Sequence, residues 1–167
     1  MHPLFHPLFV EFCAYFNTHE DYFECHEVLE EYWKDIAPGA RLHPLVGYVQ
    51  LATGLYHYRR GNTVGAARIL AKAKANLQLN SDSPFVDYIH LAQLLKDTEQ
   101  TLARIAADEP FQPFTIELTN PTLQQLVNAR AASLPVQEKH YVHNKHMLRD
   151  RSDILLARAE KMKRSRN

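Results

Sequence analysis

The sequence predicts an all-α protein, a compact antiparallel helical bundle of about five helices with an extended segment and a basic C-terminal helix or tail. Apolar residues recur at helical spacing through most of the chain, and Pro, Gly and Asn interrupt the pattern between these stretches. With 167 residues, 46% of them apolar and 23% charged, the chain can bury one sizeable core. We expect a helical bundle domain over residues 1–135 and a basic C-terminal extension over 136–167.

The first three helices are predicted over residues 7–16, about 21–35 and about 44–59. Apolar side chains at helical spacing share one face of the first helix, and Pro7 suits its first turn. Asp21 is a suitable N-cap for the second helix, because its side chain can accept a hydrogen bond from the first turn. A loop with two prolines and a glycine separates the second helix from the third.

The fourth and fifth helices are predicted over residues 63–79 and about 84–107. Gly61 suits a left-handed helix end, and Asn62 suits the N-cap of the fourth helix. The stretch Asn-Ser-Asp-Ser-Pro separates the fourth helix from the fifth. Both helices carry apolar residues on one stripe, as expected for helices that each cover one side of a core.

Residues 108–121 break the helical pattern. Pro110 and Pro113 forbid an ordinary helix there. Apolar residues then alternate with polar ones, which predicts an extended segment laid over the bundle. A short helix at about 122–133 and the basic C-terminus follow.

Charge is unevenly distributed, although the formal net charge is zero. Residues 139–167 hold nine Lys or Arg and three Asp or Glu, a balance of +6, which leaves −6 for the rest. Such a tail can make a weak, salt-sensitive contact with nucleic acid or an anionic surface, because that binding rests on counterion release. The alternative is a solvated helix, or a tail that folds back on its own body.

The N-terminus and the two cysteines indicate a cytoplasmic protein. Cys13 and Cys25 fall in apolar helical stretches, where a free thiol behaves as a small hydrophobic side chain. Their spacing indicates neither a disulfide framework nor a zinc knuckle. The first residues lack the basic stretch and cleavage site of a signal peptide, and no apolar run approaches the roughly 18 residues that span a bilayer.

The stretch YFECHEVLEEYW, residues 22–33, carries the main candidate site. His26-Glu27 followed by Glu30 is similar to the His-Glu-x-x-His motif of zinc proteases, but the second histidine, a ligand their chemistry needs, is absent. At about 100° per residue, the apolar stripe of this helix contains Tyr22, His26, Leu29, Glu30 and Trp33. The acids on the opposite, solvated face are Glu24, Glu31 and Asp35.

Glu30 is therefore expected in the core, where a carboxylate is costly unless it is paired. Replacing a paired, buried Glu30 by Ala should lower stability by about 3 kcal/mol, against about 0.5 kcal/mol for Glu31.

The third helix offers polar partners for Glu30. Apolar residues surround most of this helix, as in a central helix, and the exception is a polar stripe of His43, Gln50, Thr53 and His57. Gly47 and Gly54 flank the stripe and permit the close approach of another backbone.

Three interpretations of this polar cluster remain open. In the first, His26, Glu30 and His57 ligate a divalent metal such as zinc, iron or manganese, and Glu27 or Glu30 is the catalytic candidate. In the second, the cluster is a structural network of hydrogen bonds. In the third, it is a metal-free acid/base or ligand pocket. The polar pocket as a whole comprises Tyr22, His26, Glu27, Glu30, Trp33, Gln50, His57 and Asn62.

Two stretches, DYFECHEVLEEYW and QLATGLYHYRRGNTVGA, together resemble the family known as domain of unknown function 309, small helical prokaryotic proteins. The resemblance covers about residues 12–79, and the matching positions are Tyr22, Glu24, His26, Glu27, Glu30, Trp33, Gln50, His57, Gly61, Asn62, Gly65 and Ala66. The turn before the second helix lacks the glycine often found in the family, and Cys25 stands where alanine is common. The resemblance implies an all-α bundle with its site at His26, Glu27, Glu30 and His57; it implies no substrate.

Two functions are compatible with these observations. The first is a cytoplasmic helical protein whose partly buried His/Glu pocket binds a metal and catalyses hydrolysis. The second is a non-enzymatic interaction module, in which the His/Glu cluster is structural and the helical surface or the basic tail binds a partner. A homo-oligomer is compatible with both, since the aromatic first helix can cover the core or meet a second subunit.

Overall fold

Eight α-helices form most of residues 1–148, the part of the chain that this computed structural model describes. They are α1 (Pro7–Ala14), α2 (Tyr22–Ile36), α3 (Pro44–Arg59), α4 (Thr63–Leu79), α5 (Leu91–Ala106), α6 (Pro121–Ser133), α7 (Lys139–His143) and α8 (Lys145–Leu148). A π-helical turn continues α1 over Tyr15–His19. The prediction of an all-α bundle is confirmed. Within the described residues, no helix has the length and apolar character needed to cross a membrane.

α3 is buried on most of its circumference and occupies the centre of the bundle. α4 packs closely along one side of it, because two glycines of α3 face α4. A Cβ atom at Gly54 would lie 2.5 Å from Leu70 Cγ, and one at Gly47 would collide with the side chain of Asn76. α2 packs against a second side. The glycines therefore admit a close neighbour, as predicted, and that neighbour is α4.

α1 covers the core with aromatic rings. Phe9 and Phe12 are fully buried, and their ring centroids lie 5.3 and 5.6 Å from that of Tyr48 on α3. Cys13 and Cys25 are buried, free thiols in the same core, and burial raises the pKa of both. The aromatic face of α1 thus serves the core of its own chain.

One predicted helix boundary is wrong. α5 begins at Leu91 rather than near residue 84, because the residues before it pair with the extended segment. His90 N donates to Glu117 O at 2.9 Å, and Thr119 N donates to Tyr88 O at 2.9 Å. Backbone groups used in this short antiparallel pairing are not available to a helix.

The extended segment itself is confirmed. Ile116, at its centre, is buried, and its backbone is fixed by the side chain of Asn17. Ile116 N donates to Asn17 Oδ1 at 2.8 Å, and Asn17 Nδ2 donates to Ile116 O at 2.9 Å. This pair of bonds attaches the segment to the turn between α1 and α2.

The first part of the basic C-terminus folds back on the bundle. Residues 137–147 contact the N-terminal end of α2 and the C-terminal end of α3, as one of the two alternatives for the tail anticipated. Most of the basic residues of the tail lie in 149–167, outside the described residues. The domain boundary between residues 135 and 136 stays a prediction.

Histidine side chains cap four helical starts. The Nδ1 atom of the imidazole accepts from a backbone N–H two or three residues further on in each case, at 3.0 or 3.1 Å, and the capping residues are His2, His6, His43 and His90. In the first three the sequence is His-Pro-Leu, and proline suits the first helical position. An imidazole that gains a proton at Nδ1 can no longer accept this bond.

The cap at His43 gives a testable pH dependence. We expect His43→Ala to lower the free energy of unfolding by about 1 kcal/mol and His43→Asn, which keeps an acceptor, by only a few tenths. Burial lowers the pKa of His43 below its usual 6.5, so the unfolded chain takes up the proton first as the pH falls. The stability contributed by His43 is therefore present above pH 6.5 and lost below it.

Urea unfolding of wild type and His43→Asn at about pH 7.5 and about pH 5.5 measures this contribution. The wild type should lose more stability than the variant between the two values. Equal losses would show that His43 does not titrate as its cap position requires.

Candidate functional site

α2 turns a different face to the core from the one predicted. Its buried side chains are Tyr22, Cys25, Val28, Leu29 and Tyr32. This stripe is centred about 95° from His26 on a helical wheel. His26 and Glu30 lie at its edge, with side chains 35% and 33% exposed, so the prediction that Glu30 lies in the core is wrong. Tyr32 helps to set the rotation, because its hydroxyl donates to Pro3 O at 2.8 Å.

Four charged or titratable side chains form a chain along this edge, here called the α2 charged chain: Glu27, His26, Glu30 and Lys34. His26 Nδ1 lies 3.4 Å from Glu27 Oε1, and His26 Nε2 lies 3.2 Å from Glu30 Oε2. The other carboxylate oxygen of Glu30 lies 2.7 Å from Lys34 Nζ. The hydrogen bond and the charge of Glu30 raise the pKa of Lys34. Each ring nitrogen of His26 thus faces a carboxylate.

Two adjoining cavities lie between α2 and α3, and together they are called the α2/α3 groove. The first, of about 310 Å³, is lined by His26, Glu30, Trp33, Arg41, Val46, Val49 and Gln50. The second, of about 180 Å³, is lined by Tyr22, Phe23, His26, Thr53, Tyr56, His57 and His146. His26 lines both cavities. The groove therefore brings six predicted pocket residues together: Tyr22, His26, Glu30, Trp33, Gln50 and His57.

The other two predicted pocket residues do not line the groove. Asn62 is the N-cap of α4, where its Oδ1 accepts from Gly65 N at 3.2 Å. Its Nδ2 lies 3.5 Å from His57 Nδ1, a long contact at the rim. Glu27 is exposed to solvent and reaches the groove only through His26.

Unpartnered polar atoms are concentrated at this interface. Four buried side-chain atoms have no hydrogen-bond partner within residues 1–148: Tyr22 Oη, Gln50 Oε1, Thr53 Oγ1 and Arg59 Nε. All four belong to α2 or α3, and three belong to residues that line the groove. A complete structural network of hydrogen bonds would include a partner for the Gln50 oxygen. That part of the structural-network interpretation is not observed.

Two imidazoles with lowered pKa values, those of His57 and His146, lie at the second cavity. Burial lowers the pKa of His57, and the positive charge of Arg60 lowers it further. Burial, Arg60 and His57 together lower the pKa of His146 in the same way. The Tyr56 hydroxyl pairs with His146 Nδ1, and His146 N donates to Tyr56 Oη at 3.2 Å. Since an ordinary imidazole already titrates below neutral pH, the lowered pKa values favour the uncharged form of both rings at pH 7.

The candidate metal ligands do not form a compact set. Within residues 1–148, no group of three or more His, Cys, Asp or Glu side chains is arranged to hold a metal ion. His26 and Glu30 form an adjacent pair on α2, but His57 lines the second cavity and Glu30 the first. Metal binding through these three residues stays a prediction.

A second charged cluster, at the N-terminal end of α2, was not predicted. Lys145 on α8 is 4% exposed, and its Nζ lies 2.8 Å from Asp21 Oδ2, 3.0 Å from Glu24 Oε1 and 2.8 Å from Gln137 Oε1. Burial lowers the pKa of Lys145, but the hydrogen bonds and charges of Asp21 and Glu24 outweigh burial and raise it overall. Glu24, expected on the solvated face, is instead 17% exposed and paired. The opposite charges of body and tail were the only signal in the sequence.

The N-terminal part of the chain matches a known family. Residues 9–69, which contain α2 and α3, match the family model described as Domain of unknown function (DUF309). The Bacillus subtilis (strain 168) protein named "Uncharacterized protein YpuF" is 30% identical over 171 residues, which cover 93% of this chain and 94% of that protein. The chain belongs to the DUF309 family. No solved structure matches it.

The DUF309 match confirms the resemblance drawn from the two motif stretches. It contains every residue of the α2 charged chain and all of the groove except His146. The lysine of the second cluster also lies outside the matched residues.

The observed exposure of Glu30 revises its expected contribution to stability. Pairs between partly exposed charges contribute about 1 kcal/mol or less. We therefore expect Glu30→Ala to lower the free energy of unfolding by about 1 kcal/mol at most, and Glu31→Ala, the exposed control, by less. Chemical denaturation of both variants measures the difference. A loss near the 3 kcal/mol typical of a buried pair would show that Glu30 is more deeply enclosed in solution.

Proposed function

We propose that the α2/α3 groove binds a small molecule rich in hydrogen-bonding groups, and that the α2 charged chain transfers a proton to or from it, with hydrolysis as the reaction class. The observation that carries this proposal is the concentration of unpartnered, buried polar atoms on residues that line the groove. The DUF309 match spans the same two helices, but it implies no substrate.

Unpartnered buried atoms favour a bound molecule over a dry interface. Most buried polar groups in folded proteins are hydrogen-bonded, and leaving one unpaired costs about 1–3 kcal/mol. Gln50 and Thr53 are three residues apart and therefore share one face of α3. A ligand with both donors and acceptors offsets these costs, because a turn of the Gln50 amide offers either its oxygen or its NH2 group.

The size and walls of the groove favour a small ligand. Its larger cavity, about 310 Å³, lies at the low end of the roughly 300–1,000 Å³ of typical ligand pockets. Trp33, Val46 and Val49 supply apolar contact surface around the polar atoms. A few precisely placed polar groups on an apolar wall are the usual arrangement for orienting a small molecule.

The α2 charged chain provides a route for a proton. His26 faces the exposed Glu27 with one ring nitrogen and Glu30 with the other, at 3.4 and 3.2 Å. An imidazole can accept a proton at one nitrogen while it releases one from the other. Glu30 lines the first cavity, so it is the group that would exchange a proton with a ligand, as general acid–base catalysis requires. His26 would then restore the proton balance with Glu27 and solvent.

Acetamide is a suitable probe of this site, because it carries donor and acceptor groups on a very small frame. We expect it to change the chemical shifts of backbone amides in α2 and α3, with an affinity in the millimolar range or weaker, since a ligand of so few atoms has little binding energy. Gln50→Leu should abolish these changes. Gln78→Leu, at an exposed position of α4, is the matched control and should retain them.

The distribution of the shift changes decides the result. Changes confined to the groove and lost in Gln50→Leu support a ligand site. Changes spread evenly over the bundle, or equal in both variants, contradict it. No change at all in α2 and α3 would favour the non-enzymatic interaction module instead.

The metal-containing alternative has its own test. We expect wild-type protein, purified without chelators, to contain much less than one zinc, iron or manganese per chain, because His26 and Glu30 form only a pair of ligands and metal sites of this type use about three protein ligands. Elemental analysis of the wild type, His26→Ala and Glu30→Gln measures this. A stoichiometric metal that disappears in both variants would replace the metal-free proposal with a metal site.

A further inference from the structure

We infer that residues 137–147, called the lid from here on, close one end of the α2/α3 groove and open when Lys145 leaves Asp21 and Glu24. The inference rests on the proposed function, since a lid matters only to a groove that admits a ligand. It concerns a part of the chain beyond the residues matched by the DUF309 model. The opening of the lid can be measured without any ligand.

The lid covers the second cavity. His146 lines that cavity together with His26 and His57, and it pairs with Tyr56 through both its ring and its backbone N–H. The imidazole of His146 therefore forms part of the cavity wall next to two histidines of the bundle. Withdrawing it would open the cavity from the end opposite Trp33.

Lys145 is the anchor of the lid. Its ammonium group meets two carboxylates and one amide oxygen at 2.8–3.0 Å, and the Lys145 side chain is almost fully buried. One of these carboxylates, Asp21, is also the N-cap of α2 and accepts from Glu24 N at 3.2 Å. Removing one partner of a buried ion pair is strongly unfavourable, because the other charges stay buried and uncompensated.

Two further attachments of the lid are long polar contacts at the end of α3. Arg60 Nε donates to Asn144 Oδ1 at 3.3 Å, and Arg59 donates to Val142 O at 3.5 Å. These distances are long for hydrogen bonds. They position the lid over the end of α3 without fixing it as firmly as the Lys145 cluster does.

Little apolar surface holds the lid in place. Among the lid side chains that the structure describes, Val142 is the one apolar side chain that is buried, whereas Met147 is exposed. Segments with few buried apolar contacts open locally at a lower free energy than the helices of a core. The lid thus depends mainly on Lys145, and it can open while α3 and α4 stay folded.

Hydrogen exchange of the full chain, followed by mass spectrometry, tests this directly. In Lys145→Met, which keeps an apolar stem but loses the charge, we expect the amides of the lid to exchange at least about tenfold faster, with α3 and α4 unchanged. Lys139→Met, at an exposed lysine of the same segment, is the control and should match the wild type. Tyr56→Phe removes the hydroxyl partner of His146 and should give a smaller acceleration in the lid alone.

Modification of His57 by diethyl pyrocarbonate provides the second readout, because the reagent attacks neutral imidazoles. We expect His57 to react about threefold faster or more in Lys145→Met, once the lid no longer covers the cavity, and at the wild-type rate in Lys139→Met.

Three results would contradict the proposal that residues 137–147 form a lid. Unchanged exchange in Lys145→Met and Tyr56→Phe would show that the segment does not open at this anchor. Faster lid exchange without faster modification of His57 would show that the lid does not cover the groove. Loss of protection from hydrogen exchange throughout the Lys145→Met variant, with Tyr56→Phe unaffected, would show that Lys145 stabilises the whole bundle and not the lid alone. Failure of acetamide to bind the wild type would instead contradict the proposed function and leave these exchange results standing.

Discussion

The close approach of α4 to α3 fixes the geometry of the whole bundle. Gly47 and Gly54 leave no room for a side chain on that side of α3, because Asn76 and Leu70 of α4 fill the space. Because α4 occupies that side of α3, the polar stripe of α3 faces a different neighbour, which is α2. The groove is thus a consequence of helix packing, since it forms where the most buried helix carries its few polar side chains.

The charged side chains of α2 differ in their exposure to solvent between the groove and the Lys145 cluster. Along its length, the α2 charged chain lies at the edge of the core, where half-exposed charges keep contact with water and their pairing contributes little to stability. At its N-terminal end, Asp21 and Glu24 are enclosed and depend on a lysine from the far end of the sequence. The same short helix therefore combines a part suited to proton exchange with a part that requires a fixed partner.

Local signals in the sequence predicted much of the fold. The bounds of α3 and α4 follow from Pro44, Gly61 and Asn62, because caps and breakers act within a few residues.

The rotation of α2 about its own axis could not be predicted from such local signals. Its aromatic residues surround much of the helix, so two faces looked equally apolar, and contacts with distant segments, such as that of Tyr32 with Pro3, decide between them. The start of α5 was missed for the same reason, since it depends on pairing with residues 27 and 31 positions later. Six of the eight predicted pocket residues line one groove between α2 and α3, but how deeply Glu30 lies there depends on this rotation.

The pairing of Lys145 with Asp21 joins residues 124 positions apart. During synthesis, domains fold from the N-terminus as the chain emerges, so α2 and α3 can pack while the lysine that neutralises the start of α2 has yet to be made. The nascent protein therefore passes through a stage in which Asp21 and Glu24 lack the ammonium group of Lys145. In that interval the start of α2 is an acidic surface open to solvent, and arrival of the C-terminal residues converts it into part of the interior.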